Sequence, residues 1–192
     1  MVGGELRNIW RSELTDAEVY SVGDIFVLWA CLEHEIFAQT LLTFEAEISD
    51  AIDLPKEMNN MQFTSVLDLW KSRVAEATTG PRGTVLREQY HEIVGLKDAR
   101  DALAHGRWDW SPEAPHQVTT TRVKKSNLIS SHFTTDFLHD MAVRLGEINF
   151  KVRFPGGLGE LAETQIAEGG YMSRSAMTSM FNRPETDSQP QS

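Results

Sequence analysis

The sequence predicts an all-α domain: an antiparallel helical bundle with a β-hairpin inserted after the helix that carries its most distinctive motif. Three observations lead to this class. Apolar residues recur at three- and four-residue steps over several long stretches, the period of helices that bury one face. Two short β-prone runs flank a loop rich in proline and polar residues. The 192-residue chain is 41% hydrophobic, has one cysteine and shows no internal repeat, so its stability rests on an apolar core rather than on disulfides.

Each element has its own signal. Thr15 is a candidate N-cap, with Glu18 at the capping-box position. Gly23-Asp24 is a candidate break, after which Ile25, Leu28, Trp29, Leu32, Ile36, Leu41 and Phe44 mark one apolar face. That helix is expected to fade near Ile48, before Leu54-Pro55. A second helix fits residues 59–77, with Phe63, Val66, Leu67, Leu69, Trp70 and Val74 on its apolar side. Thr79-Gly80-Pro81-Arg82-Gly83 reads as a turn. A third helix fits residues 84–103 and runs into the motif. The hairpin follows, with Arg107-Trp108-Asp109-Trp110 as one strand and Val118-Thr119-Thr120-Thr121-Arg122-Val123 as the other. A further helix starts at Thr134 or Thr135 and carries Phe137, Leu138, Met141, Leu145, Ile148 and Val152. Residues 1–153 then form the domain. Residues 154–192 read as a Pro/Gly linker, a short helix near 161–166 and a polar, disordered tail.

Composition narrows the function classes. No apolar run approaches the roughly 20 residues needed to span a bilayer. The first residues lack the apolar core of a secretion signal, so a cytoplasmic protein is expected. Cys31 reads as a buried, reduced thiol. The net charge of −10 disfavours a broad surface for nucleic acid, because such affinity comes mainly from neutralising phosphates. An enzyme acting on RNA with this balance must gather its cations at the site.

The motif is Arg100-Asp101-Ala102-Leu103-Ala104-His105-Gly106. It sets an arginine, an acid and a histidine in the last turns of a helix, with Gly106 expected to end that helix in the left-handed cap conformation. Arginine binds phosphate as a fork, and histidine moves protons near neutral pH. Residues four apart share a helical face, so Asp101 is placed to orient His105. Arg100 lies roughly 140° around the helix from His105. Its long side chain, or a two-fold dimer, closes that gap. Arg107 is a second candidate phosphate ligand.

This Arg-[Asn/Asp/His]-x-x-x-His run, followed by glycine, resembles the signature of the HEPN superfamily. The helix from Asp24 to Glu33 resembles that family's opening helices, and the order of elements is similar over residues 15–152. The resemblance implies an all-α, metal-independent endoribonuclease of toxin–antitoxin or antiphage defence systems. It implies a homodimer that pairs two motifs and a partner protein such as an antitoxin. Members modified by a partner nucleotidyltransferase carry a tyrosine two residues after the histidine. Here that position is Arg107, so the resemblance does not extend to this modification.

On this reading Arg100, Asp101 and His105 are catalytic, with RNA as substrate and no cofactor or metal. Arg107, Trp108, Lys124 and Lys125 are candidate RNA contacts, and the alternating Trp108 and Trp110 offer faces on which a base can stack. Glu33, placed between Trp29 and Phe37 at helical spacing, is either an acid orienting Arg100 or an acid at the edge of the apolar face. His132, Asp136, His139 and Asp140 have the spacing of metal ligands, but no cysteine or second His-rich element supports a metal site. The alternative to an enzyme is a noncatalytic HEPN-like helical module for partner binding or regulation; a third reading is a helical adaptor unrelated to that family, with Arg100 and His105 structural.

Overall fold

The computed structural model describes residues 14–44, 58 and 62–167, and within that range the chain divides at Pro155. The N-terminal unit holds α1 (Asp16–Leu42), α2 (Phe63–Trp70) continued by a π-helical turn (Lys71–Ala75), α3 (Gly80–His105), β1 (Arg107–Trp110), β2 (Gln117–Lys124), β3 (Asn127–Thr134) and α4 (Thr135–Arg153). Beyond it, α5 (Leu158–Ala167) buries none of its residues.

The all-α expectation is corrected here. Asn127–Thr134 forms a third strand, so the domain is mainly helical with a three-stranded antiparallel sheet in the order β1-β2-β3. The strand is hidden in the sequence because Leu128 and Ile129 are exposed and only Phe133 is buried, leaving no clean apolar alternation. The turn into it is formed by Lys125 and Ser126, both with positive φ. That is the backbone of a two-residue hairpin turn, usually signalled by Asn or Gly, which these residue types do not announce.

Helix α1 is continuous through Gly23-Asp24. Thr15 and Glu18 form the capping box, and the buried Glu18 carboxylate also accepts from the Thr135 hydroxyl at 3.2 Å, tying α1 to α4. Ile25, Trp29, Leu32 and Ile36 line the inner face of α1. They form one buried cluster with Leu67 and Trp70 of α2, Ile93 and Leu103 of α3, and Leu138, Leu145 and Ile148 of α4. Each fully buried aliphatic or aromatic side chain contributes about 1.5–3 kcal/mol by leaving water. Several polar groups among the helices are matched. Trp70 Nε1 donates to Gln39 Oε1 at 2.8 Å, Gln39 Nε2 donates to the Val152 carbonyl at 3.0 Å, and Asn149 Nδ2 donates to the Leu28 carbonyl at 2.9 Å.

Two readings of α1 are amended. At 27 residues, with a mean hydropathy of 1.4 over its best 18-residue window, it is long and apolar enough by length and composition to cross a membrane. Glu33 and Glu35 interrupt its apolar run, which is why a search for uninterrupted stretches misses it. Cys31 is exposed rather than buried, because it lies on the side of α1 away from Leu32 and Ile36.

Other boundaries shift in ways that matter for the site. The expected turn at residues 79–83 is instead the first turn of α3, with Pro81 supplying a preset φ where no backbone donor is needed. The expected starts and ends near residues 48, 54–55 and 59, together with the C-terminal tail, lie outside the described residues. Helix α3 runs to His105, and α4 opens on Thr134, whose hydroxyl accepts from the Phe137 amide at 3.1 Å.

Candidate active site

The motif helix ends against the sheet, and the ending differs from a left-handed cap. Gly106 has φ −79° and ψ 146°, an extended backbone open to any residue. Glycine is required there for space. A Cβ at this position would stand 2.5 Å from the Ala102 carbonyl oxygen and 2.5 Å from Thr120 Cβ on β2. The missing side chain lets the end of α3 lie directly on the sheet.

Arg100 is held by groups from two helices. Its Nη2 donates to Glu33 Oε1 at 3.3 Å, and its Nη1 donates to Asp101 Oδ1 at 3.2 Å. Trp29 braces the same pair from below: its indole N–H donates to Glu33 Oε1 at 2.7 Å, and the guanidinium carbon sits 5.4 Å from the indole ring centre. Trp29 is in turn fixed by an edge-on contact with Phe63, at 5.7 Å between ring centres. Glu33 is bonded to Arg100 and also partly exposed, at the edge of the apolar face of α1.

The structure gives Asp101 other partners than His105. Its Oδ2 receives Lys97 Nζ at 3.1 Å and faces Arg122 Nη1 at 4.0 Å, while its Oδ1 takes Arg100. Three cations thus converge on one carboxylate. Lys97 stands one helical turn before Asp101 and was legible as an i,i+4 pair. Arg122 is not legible in this way, since only the sheet register carries β2 to α3. Its Nη2 also donates to the Asp98 backbone carbonyl at 3.3 Å and to Asp98 Oδ1 at 3.4 Å, which clasps sheet to helix. The Nε atoms of both Arg100 and Arg122 are buried without a hydrogen-bond partner among the described residues.

Arg100, Asp101 and His105 line one open hollow of about 330 Å³, together with Trp29, Glu33 and Lys97. His105 is exposed at the end of α3. The candidate RNA contacts are distributed differently. Lys124 Nζ is engaged by Asp98 Oδ1 at 2.7 Å, and this hydrogen bond holds the Asp98 carboxyl below its ordinary range. Lys125 is exposed in the hairpin turn, and Arg107 lines a neighbouring hollow on the sheet with Thr121 and Val123. Trp108 is partly buried against the core, and Trp110 is 37% exposed. His132 is on β3, hydrogen-bonded through Nδ1 to the Thr119 hydroxyl at 2.9 Å, and so does not share a helix with Asp136, His139 and Asp140. A larger hollow of about 610 Å³ lies between α1 and α4, lined in part by Cys31, His34, Glu35 and Arg153, away from the motif.

No family model, curated protein or solved structure matches the chain.

Proposed function

We propose that the protein is a metal-independent endoribonuclease that cleaves single-stranded RNA by attack of the ribose 2′-hydroxyl, as the resemblance of its motif to the HEPN superfamily suggests. The observation that carries this reading is the sharing of one open hollow by Arg100, Asp101 and His105, with His105 exposed. His105 takes the 2′-hydroxyl proton, the 2′-oxygen bonds to phosphorus, and the bond to the 5′-oxygen breaks. The leaving oxygen takes a proton from the histidine of a second copy, so the reading includes a homodimer. Arg100 holds the non-bridging oxygens and offsets the charge that builds on them. Lys97 adds a cation beside it. Arg107 and Lys125 extend the contact along the strand. A cytoplasmic defence or toxin role, with a protein partner that restrains it, accompanies the reading.

The test is incubation of the protein with end-labelled RNA in excess EDTA. The expected result is cleavage that leaves 2′,3′-cyclic phosphate ends and is lost in His105→Ala. Products with 5′-phosphates, or activity abolished by the chelator, would overturn the mechanism. A second reading, a noncatalytic module of the same kind that binds a partner, is favoured by one specific observation. Arg100 is already neutralised on two sides, by Glu33 and Asp101, in a chain of net charge −10. Absence of cleavage together with tight capture of a partner protein would select it.

A further inference from the structure

The cations around Asp101 outnumber what one carboxylate needs. Lys97 and Arg100 reach it at 3.1 and 3.2 Å from the hollow that also holds His105. Arg122 approaches the same carboxylate from the sheet side at 4.0 Å, beyond good hydrogen-bond distance, with its Nε–H buried and unpartnered among the described residues. A buried donor left without an acceptor is costly, and Arg100 Nε shares that condition; what singles out Arg122 is its Nη1, which stands 4.0 Å from the part-buried Asp101 carboxylate and offers that side chain a second position.

We propose that Asp101 is the resident anion of an oxyanion site formed by Lys97 and Arg100, and that an incoming phosphate group displaces it toward Arg122. This rests on the ribonuclease reading for the identity of the ligand, a phosphodiester of RNA. In the free protein the Asp101 carboxylate occupies the place of a phosphate oxygen and keeps two cations neutralised in a strongly acidic chain. When phosphate arrives, Lys97 and Arg100 exchange one anion for another. Asp101 moves by side-chain rotation to the spare donors of Arg122. Arg122 therefore acts through Asp101 and is a positioning residue. Glu33 keeps its hold on the other edge of Arg100, so the guanidinium stays in place throughout.

The experiment uses the full chain with two uncleavable probes: a 2′-O-methyl RNA oligomer, which has no free 2′-hydroxyl to attack, and inorganic phosphate. Asp101→Asn is expected to tighten oligomer binding by roughly 1.4- to fivefold, the span that corresponds to losing one part-exposed competing ion pair. Arg122→Gln is expected to weaken binding in the wild-type background and to have no effect in the Asp101→Asn background, since its action runs through the carboxylate. Lys97→Gln is expected to lower the slope of log affinity against log salt by about 0.7, the loss of one contact to a single strand, while Arg122→Gln leaves that slope unchanged. Thermal unfolding of each variant identifies any that does not fold, and the Lys97 and Arg122 slopes carry the test if Asp101→Asn is one of them.

Weaker or unchanged binding by a folded Asp101→Asn protein would overturn the proposal, as would an unchanged slope for Lys97→Gln. Tightening for inorganic phosphate but not for the oligomer would mean a site for a free oxyanion, and would overturn its assignment to RNA. Cleavage of ordinary RNA by the wild-type protein is scored separately. The catalytic reading can therefore fail while the displacement of Asp101 holds, and the reverse.

Discussion

Replacing Gly106 by alanine tests how the motif helix is seated on the sheet. The added Cβ would stand 2.5 Å from the Ala102 carbonyl oxygen and 2.5 Å from Thr120 Cβ, each 0.9 Å short of the 3.4 Å at which ordinary contact begins. Neither neighbour is the end of a flexible side chain. Ala102 is buried in α3, and Thr120 is fully buried on the central strand. Overpacking of this kind costs about 1–3 kcal/mol. The backbone at Gly106 suits alanine, so reduced freedom of the unfolded chain returns about 0.4–1 kcal/mol. At the middle of both ranges the net loss is about 1.3 kcal/mol, and the melting temperature should fall by about 3–5 °C for a domain of this size. Gly95 is the control: it lies on the exposed side of the same helix, and a Cβ added there would meet nothing within 4 Å. Gly95→Ala should therefore stabilise by roughly 0.5–1 kcal/mol. Differential scanning calorimetry of both variants decides the matter. A Gly106→Ala protein as stable as the wild type would mean that α3 does not bear on β2 at this point, and the placement of Arg122 beside Asp101 would lose its support.

Three further expectations follow from the same geometry. His105→Ala should abolish cleavage, a loss of about 100- to 10,000-fold for removal of an acid–base group, while the melting temperature changes little because the side chain is exposed; an active variant in the labelled-RNA assay would show that the motif match is coincidental. Arg100→Ala and Glu33→Gln should each destabilise, and the double variant should lose less than their sum by about 0.5–3 kcal/mol, as residues in one network do; strict additivity in urea unfolding would refute the coupling. Lys124→Ala should lower stability near neutral pH but not in acid: the Asp98 carboxyl is held down by its hydrogen bond from Lys124, so the contribution is present above the ordinary value of 3.8 and is lost as pH falls through the lowered one. Since Asp98 is largely exposed, the effect is small, and a penalty that persists at about pH 2 would contradict its assignment to this pair.

The local elements were legible in the sequence because local physics determines them. The capping box at Thr15 and Glu18, the apolar face of α1 and the helical period of α4 all depend on residues within one or two turns of each other. The pairing of β1 with β2 was legible for the same reason, from β-prone residues on either side of a Pro-rich loop. What escaped depends on distance in space. Strand β3 is recognisable only from its partner, because its exposed residues carry no apolar rhythm of their own. Gly106 was correctly marked as the end of α3, yet its reason is the close approach of Thr120, a residue on another element. The site shows the same division. Arg100, Asp101 and His105 stand out by residue type and by the resemblance of their run to a known motif, and Glu33 by its odd place on an apolar helix; helical spacing pairs Asp101 with His105, whereas its ion pairs are with Lys97 and Arg100. That Asp101 is held by Lys97, Arg100 and Arg122 required the tertiary structure. An ion pair between β2 and α3 is set by sheet register and helix packing, and neither is written in any local run of residues.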